Sequence, residues 1–170
     1  MSPKKFNYCL SRIRNGDMDG LKEIYYEYYE KMKFSARLRI NDQASAEDIA
    51  SNLLKDILEK IKEIKRIENP NAWIYTAVRN KAVDYIRENK KTINIENYNE
   101  TTSSMPDDYD LRQALLHSLK RLTETEKEIF TEHFIYGFKY KEISFMHNNM
   151  PEGTIKSHVY NIKRKLKHLI

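Results

Sequence analysis

The sequence contains a single cysteine, Cys9, so it can form neither an internal disulfide nor a paired-thiolate metal knuckle. Four glycines and four prolines in 170 residues are too few for the many tight turns of an all-β sandwich or barrel. No stretch approaches the roughly 18 apolar residues of a membrane-spanning helix. No apolar segment follows Lys4 and Lys5, as it would in a secretory signal. These absences predict a soluble, mainly helical protein that does not insert into a membrane.

Sequence features typical of enzymes are also missing. There is no Gly-x-x-x-x-Gly-Lys phosphate-binding loop, and the five histidines lack metal-ligand spacing with a carboxylate partner. A lone histidine on a helix is usually structural or solvated. We therefore expect no catalytic residues, no metal site and no cofactor.

Charge is abundant and unevenly distributed. Residues 1–91 hold 19 Lys or Arg against 14 Asp or Glu, and residues 111–170 hold 11 against 6, so each block carries +5. Residues 92–110 hold five acidic residues and no basic one. Two basic blocks with an acidic segment between them are typical either of two modules that bind a polyanion or of two solvated helical surfaces. Charge alone does not choose between these interpretations.

Apolar residues recur at intervals of three and four in the first block, as they do in amphipathic helices, and predict four helices. The expected buried faces are Phe6, Leu10 and Ile13; Leu21, Tyr25, Tyr28 and Met32; Ile49, Leu53, Ile57, Ile61 and Ile64; and Ile74, Val78, Ala82 and Tyr85. Ser45 with Asp48 resembles a capping box at the start of the third helix. Asn69-Pro70 predicts the start of the fourth, because proline is tolerated in a first helical turn.

Residues 89–107 are polar and have no helical period. A structureless run of this length is unusual inside a compact domain, so it is typical of a linker. We therefore predict an all-α fold with two small helical domains, residues 1–91 and residues 108–170. A flexible acidic linker at residues 92–107 would join them.

The second predicted domain ends in a helix-turn-helix pattern. Thr123 and Glu126 predict a capping box for a helix that stops at Gly137. That helix is expected to bury Ile129, Phe130 and Phe134. A short helix at residues 140–147 then leads through a tight turn into a longer helix at residues 154–170.

The last predicted helix has a basic surface, because no acidic residue follows Gly153. A face that is merely solvated more commonly mixes glutamate with lysine. The N-terminal residues of a helix in the major groove face the base edges. In this helix the outward residues near the start are Lys156, Ser157, Tyr160 and Asn161. The pattern favours DNA binding over a solvated surface.

These segments resemble region 4 of bacterial sigma factors, and more narrowly that of the extracytoplasmic-function (ECF) group. The similar segments are LTETEKEIF at residues 122–130, GFKYKEI at residues 137–143 and PEGTIKSH at residues 151–158. The first block resembles region 2 through NGD at residues 15–17, DIA at residues 48–50 and NAWIYTAVRN at residues 71–80. The resemblance covers nearly the whole chain in the order of the family.

The resemblance implies a cytoplasmic initiation factor that binds core RNA polymerase and promoter DNA. Region 4 would meet the −35 element through Lys156, Ser157, Tyr160 and Asn161 at the bases and Thr154, Lys163 and Arg164 at the phosphates. Region 2 would capture a flipped −10 base, which needs a polar pocket with a flat or cationic rim. The residues implied there are Trp73, Arg79, Asn80 and Lys81. Trp73 is also typical of a core, and Asn80 of a helix surface.

In this family an Asp-x-x-Gln-Glu motif docks on the clamp of the largest polymerase subunit. Here the corresponding residues are Asp48-Ile49-Ala50-Ser51-Asn52, so a hydroxyl and a neutral amide replace the Gln and the acid. The resemblance makes Asp48, Ser51 and Asn52 the candidate clamp-binding residues. The departure leaves two alternatives open, a polymerase-independent helix-turn-helix regulator and a sigma-like protein that sequesters a partner.

Three further expectations come from the resemblance and from the uniform negative charge of the linker. An anti-sigma factor would restrain the protein and could hold it at the inner membrane. The acidic linker would either pass through the RNA path of the polymerase or act as a tether. The turn at Asn148-Asn149-Met150 is one residue longer than is usual in the family, which could tilt the recognition helix.

Overall fold

The computed structural model describes residues 1–89, Leu115 and residues 118–167. In these ranges the regular elements are all helices, and the described residues fall into two compact units, residues 1–89 in one and Leu115 with residues 118–167 in the other. The prediction of an all-α fold with two helical domains is confirmed. The predicted linker at residues 92–107 lies outside the described residues. No helix in the described ranges is both long and apolar enough to cross a membrane.

The N-terminal unit contains four helices, in which α2 packs against each of the other three. Their bounds are α1 Pro3–Arg14, α2 Asp19–Ile40, α3 Gln43–Glu59 and α4 Pro70–Asn89. The largest fully buried side chains of this unit are Phe6, Leu10, Ile24, Tyr28, Met32, Ile57 and Ile74. Every helix contributes to this core. Because α2 packs against the other three helices, it is the central element of the unit.

The buried face of α2 differs from the predicted one at its start. Leu21 is half-buried and Tyr25 is 41% exposed, while Ile24 is fully buried. The reason is the close approach of α2 to α1 at Gly20, where a Cβ would lie 2.5 Å from the Cys9 carbonyl oxygen. This contact turns the side of α2 that contains Gly20 and Ile24 towards α1 and the core.

The start of α3 is capped by a different residue from the one predicted. Asp42 is the N-cap, and its Oδ2 accepts a hydrogen bond of 2.7 Å from the Ser45 backbone N–H. The predicted Ser45–Asp48 capping box is therefore wrong, because Ser45 lies inside the first turn. Its hydroxyl donates instead to the Tyr85 hydroxyl of α4 at 2.8 Å, which leaves Tyr85 half-buried rather than in the core.

The third helix is shorter than predicted, since it ends at Glu59 and not near Ile64. Residues 60–69 form the α3–α4 loop. Arg14 of α1 donates hydrogen bonds to the carbonyl oxygens of Ile61 and Ile64. The apolar period of the sequence continues through this loop. The carbonyl oxygens of Ile61 and Ile64, however, accept hydrogen bonds from Arg14 of α1 and not from the next turn of a longer α3.

The described part of the C-terminal unit contains two short helices, one longer helix and one π-helical turn, after helical residues at 118–119. Their bounds are α5 Glu124–Phe130, the π-turn Thr131–Ile135, α6 Tyr140–Met146 and α7 Glu152–Leu166. The core of this unit includes Leu119, Leu122, Ile129, Ile143, Ile155, Val159 and Ile162. Gly137 has a φ of +74° and follows the π-turn, so its predicted role at the end of this segment is confirmed.

The π-turn changes which side chains are buried after α5. Phe134, predicted to be buried, is 41% exposed, whereas Thr131 and Glu132 are buried. A π-helical turn contains more residues than an α-helical turn, so it shifts the helical period of everything that follows. The prediction assumed an unbroken α-helical period and therefore placed Phe134 on the wrong side.

A buried carboxylate joins the start of α5 to the end of α7. The predicted capping box is confirmed: Glu126 accepts from the Thr123 N–H at 2.8 Å, and Thr123 Oγ1 accepts from the Glu126 N–H at 3.2 Å. Lys165 Nζ donates to both carboxylate oxygens of Glu126, at 2.8 and 2.6 Å. Burial alone raises the pKa of Glu126, but the hydrogen bonds from Lys165 and Thr123 outweigh it and lower the pKa overall.

We predict that Glu126 makes the C-terminal unit sensitive to acid. A lowered folded-state pKa means that the stabilisation is present above the ordinary glutamate pKa of about 4.3 and is lost as the pH falls through the folded-state value. Glu126→Gln should cost about 1–3 kcal/mol at pH 7 because hydrogen bonds to a charged group are lost. It should also flatten the decline in stability between about pH 5 and pH 3.

Urea denaturation at a series of pH values, followed by circular dichroism, measures this effect. The only tryptophan, Trp73, lies in the N-terminal unit, so its fluorescence reports the unit that Glu126→Gln should leave unchanged. A parallel loss of stability on acidification in the wild type and the variant would contradict the assigned role of Glu126.

Candidate nucleic-acid interface

Helix α7 buries one side and exposes the side that carries the predicted −35 residues. Its buried residues are Ile155, Val159, Ile162 and Leu166. Thr154, Lys156, Ser157, Tyr160, Lys163 and Arg164 are exposed, and Asn161 is half-buried. The structure therefore brings all seven onto the outward side of a single helix, with Glu152 the one acidic residue on α7.

Two lysines on this outward side lie over aromatic rings. The Lys156 ammonium is 5.9 Å from the centre of the Tyr140 ring, and the Lys163 ammonium is 5.9 Å from that of Phe134. Such cation–π contacts are weak at exposed sites, about 0.5–1 kcal/mol, but they favour one direction of the flexible side chain. The sequence does not reveal these roles, because aromatic residues at helical spacing are typical of a core.

The turn between α6 and α7 is held by its backbone and by the contact of His147 with the buried Glu132. Asn148 and Asn149 have φ values of 55° and 59°, in the left-handed region that asparagine tolerates better than most residues. The Met150 N–H donates to the His147 carbonyl oxygen at 3.1 Å. The His147 Nε2 atom lies 2.8 Å from Glu132 Oε2 in the π-turn. These contacts fix the start of α7 relative to the core of its own unit.

Helix α4 carries the predicted −10 residues. Trp73 and Asn80 are seven residues apart, which places them on the same side of the helix about 10 Å apart along its axis. Arg79 and Asn80 are exposed, while Trp73 is half-buried. The Trp73 ring meets the Phe6 ring edge-on at 6.0 Å. Trp73 thus combines a core contact with a partly exposed ring.

Lys81 differs from the other predicted −10 residues because it forms an ion pair with α3. Its Nζ atom lies 2.6 Å from Asp56 Oδ2. Lys81 and Asp56 are both partly exposed, so solvent screens the pair. The structure brings Trp73, Arg79 and Asn80 to the exposed surface of α4 and directs Lys81 towards α3.

The α3–α4 loop precedes α4 and is held by side chains of α1. Asn7 Nδ2 donates to the Ile67 carbonyl oxygen at 2.7 Å, and Asn7 Oδ1 accepts from the Ile67 N–H at 2.9 Å. Arg14 binds the same loop through two carbonyl oxygens near its start. Neither Asn7 nor Arg14 is among the functional residues predicted from the sequence. The available signal was two polar residues seven positions apart on an otherwise apolar-striped helix.

The candidate clamp-binding residues lie together on α3. Asp48, Ser51 and Asn52 are all exposed, and their spacing of three and four places them on one side of the helix. The hydroxyl oxygens of Ser51 and Tyr29 are 3.5 Å apart, so this side continues onto α2. Among the described residues, no group of three or more His, Cys, Asp or Glu side chains is arranged to hold a metal ion.

Comparison with known families finds two matches, one in each half of the chain. The model of sigma-70 region 2 matches residues 24–92, and the model of sigma-70, region 4 matches residues 112–166. Together they cover more than two thirds of the chain and occur in the family order. The first match contains α3, the α3–α4 loop and α4, and the second contains α5, α6 and α7.

Curated relatives are similar over most of this chain. The ECF RNA polymerase sigma factor BldN of Streptomyces coelicolor is 26% identical over 95% of this chain and 64% of its own length. The ECF RNA polymerase sigma factor SigM of Bacillus subtilis is 22% identical over 88% of this chain and 94% of its own length. RNA polymerase sigma factor SigZ of Bacillus subtilis is 23% identical over 88% of this chain and 86% of its own length.

The chain spans just under two thirds of the length of BldN. A solved structure of an RsbN–BldN complex matches with 22% identity and a TM-score of 0.41, covering 95% of this chain and 99% of the matched chain. The two family models and the named relatives agree in family, and the models place region 2 before region 4 in this chain. The chain belongs to the sigma-70 family as a sigma factor of the ECF group, a DNA-binding class of transcription initiation factors and not a class of enzymes.

Proposed function

We propose that this protein binds core RNA polymerase, directs it to promoters with −35 and −10 elements and starts transcription there. The observation that supports this most directly is the outward side of α7, which presents polar and basic residues of a helix-turn-helix together. A second unit with an exposed polar side on α4 gives the chain a second surface for the same promoter.

In the proposed complex, α7 enters the major groove of the −35 element. Lys156, Ser157, Tyr160 and Asn161 lie on the outward side of its first three turns and would meet base edges. Thr154, Lys163 and Arg164 would bind phosphates, which sets the register on DNA and makes binding dependent on salt.

The N-terminal unit would bind the melted −10 element. The Asn80 amide has both a donor and an acceptor for the edge of a flipped base. The exposed part of the Trp73 ring would stack on a base, and Arg79 would provide the cationic rim. Lys81 is paired with Asp56 and would add positive potential near the site rather than a direct contact.

Asp48, Ser51 and Asn52 would dock on the clamp of the largest polymerase subunit. Asp48 supplies the charge, while Ser51 and Asn52 offer hydrogen bonds where other members of the family have a glutamine and an acid. Binding of an anti-sigma factor is proposed from the family resemblance alone, as is retention at the inner membrane. We place the free protein in the bacterial cytoplasm, where the polymerase acts.

Transcription by purified components tests the proposed function. Core polymerase with this protein, supplied with sheared genomic DNA, should give transcripts whose start sites share common −35 and −10 sequences. Core polymerase alone is the control. DNA binding without transcripts would favour the polymerase-independent regulator that the Ser51-Asn52 departure leaves open, and polymerase binding without transcripts would favour a sequestering protein.

Substitutions on α7 should separate base recognition from phosphate binding. Asn161→Ala should lose about 1–3 kcal/mol of discrimination at one base pair of the −35 element, because an amide reads a base edge by paired hydrogen bonds. Arg164→Ala should weaken binding to all sequences alike and reduce the slope of log K against log salt by about one.

Fluorescence anisotropy with −35 duplexes, measured over a range of salt concentrations, checks both effects. Lys22→Ala removes an exposed lysine from α2 in the other unit and serves as a matched charge control. A change in base preference caused by Arg164→Ala, with none caused by Asn161→Ala, would contradict the assigned roles.

Reversal of charge at Asp48 should weaken polymerase binding selectively. Asp48→Arg should lower the affinity for core polymerase at least about tenfold, since truncating or reversing one charge of an interfacial pair costs several kcal/mol. Binding of the −35 duplex should not change. Glu59→Arg makes the same reversal three turns further along α3 and is the control. Equal losses in both binding assays would show that Asp48 is not part of the polymerase interface.

A further inference from the structure

The α3–α4 loop is a charged segment whose backbone is held from one side by α1. Its first turn is closed by bonds from the Glu63 and Ile64 N–H groups to the Lys60 carbonyl oxygen, at 2.9 and 3.1 Å. Lys65 and Arg66 further along the loop are exposed. The loop therefore presents charged side chains outward, and contacts on its inner side determine its shape.

Asn7 satisfies both backbone groups of one loop residue. Its amide donates to the Ile67 carbonyl oxygen at 2.7 Å and accepts from the Ile67 N–H at 2.9 Å. The same Nδ2 atom donates to the Pro3 carbonyl oxygen at 2.8 Å, which fixes the amide on its own helix. One side chain thus replaces the pair of bonds that a neighbouring strand would make.

Arg14 holds the other end of the loop. Its Nε atom donates to the Ile61 carbonyl oxygen at 3.0 Å, and its Nη2 atom donates to that of Ile64. Asn7 and Arg14 are seven residues apart, so they lie on one side of α1 about 10 Å from each other. Helix α1 thereby defines the positions of both ends of the loop.

The fixed loop leads directly into the start of α4. Asn69 Oδ1 accepts from the Ala72 N–H at 3.1 Å, and the Tyr28 hydroxyl donates to Asn71 Oδ1 at 2.8 Å. Trp73 follows in the first turn. A displacement of the loop would therefore move the exposed charges of the loop relative to the side of α4 that carries Trp73.

These contacts are separate from the packing of α1. The helix is anchored in the core by Phe6, Cys9, Leu10 and Ile13, all of which are buried. Asn7 and Arg14 lie at the edge of this packing and touch only backbone atoms of the loop and α1 in their hydrogen bonds described above. Truncation of the Asn7 or Arg14 side chain should loosen the loop and leave the core intact.

We propose that Asn7 and Arg14 are positioning residues for the −10 element, and that they hold the α3–α4 loop in the shape needed to receive a melted strand. This inference rests on the proposed function of the N-terminal unit. A recognition loop that is ordered before binding avoids the cost of being ordered at that step, so the two residues act on affinity and base preference without touching DNA.

The test uses holoenzyme reconstituted from core polymerase and the full chain. The probe is a fluorescein-labelled single-stranded oligonucleotide with the −10 sequence that the transcription experiment identifies, compared with one that carries a single base change. Asn7→Ala should weaken binding of the matched oligonucleotide about tenfold, because two hydrogen bonds to the loop are lost. It should also reduce the difference between the two oligonucleotides. Arg14→Ala should act in the same direction, and Arg14→Lys should restore part of the loss.

Ser11→Ala is the matched control, since Ser11 is an exposed residue of α1 between the two. Binding of the −35 duplex and the unfolding midpoint reported by Trp73 fluorescence should change little in all variants. Unchanged affinity and base preference in Asn7→Ala and Arg14→Ala would overturn the inference while leaving the proposed function intact. Losses that follow the unfolding midpoint would also overturn it. Failure of the wild-type holoenzyme to bind the oligonucleotide would overturn both.

Discussion

The orientation of α7, which we propose as the recognition helix, depends on the buried carboxylate of Glu126. This residue closes the capping box of α5 and also binds Lys165 near the end of α7. Rotation of α7 by one residue would separate Lys165 from Glu126 and leave a buried charge without its partner, which is strongly destabilising. The pair therefore selects the rotation in which Lys163 and Arg164 face outward. At the other end of α7, the contact between His147 and Glu132 fixes the turn from which the helix starts.

In the N-terminal unit, contacts with backbone atoms orient α2 and the α3–α4 loop. Gly20 lets α2 approach the Cys9 carbonyl oxygen, and this approach decides which side of α2 is buried. Asn7 and Arg14 bind carbonyl and N–H groups of the α3–α4 loop, which gives the loop a defined shape without secondary structure of its own. In both units apolar packing brings the helices together, and a few polar or steric contacts determine how they are rotated.

This division explains which features could be predicted from the sequence. The all-α fold, the Thr123–Glu126 capping box and the outward side of α7 follow from apolar period and local capping, both of which are visible in short segments. The errors in the predicted buried faces occurred where a contact with another helix or a π-turn interrupts that period. Tyr25 is exposed because of a backbone contact between α1 and α2, and Phe134 is exposed because the π-turn shifts the register. The roles of Asn7 and Lys165 depend on residues 60 and 39 positions away, so a local pattern can single out such a residue but cannot identify its partner.

The two units also differ in how their basic residues are arranged. Each basic block carries +5, but many basic residues of the N-terminal unit are paired with acids inside the unit, as Arg12 is with Asp17 and Glu23. Lys81 is likewise paired with Asp56. On α7 the only acid is Glu152, so Lys156, Lys163 and Arg164 share their surface with few opposing charges. Equal net charge therefore corresponds to two kinds of surface. The C-terminal unit concentrates positive potential on one side of α7, which suits the proposed phosphate binding, whereas the proposed DNA surface of the N-terminal unit consists of the α3–α4 loop and the exposed side chains of α4.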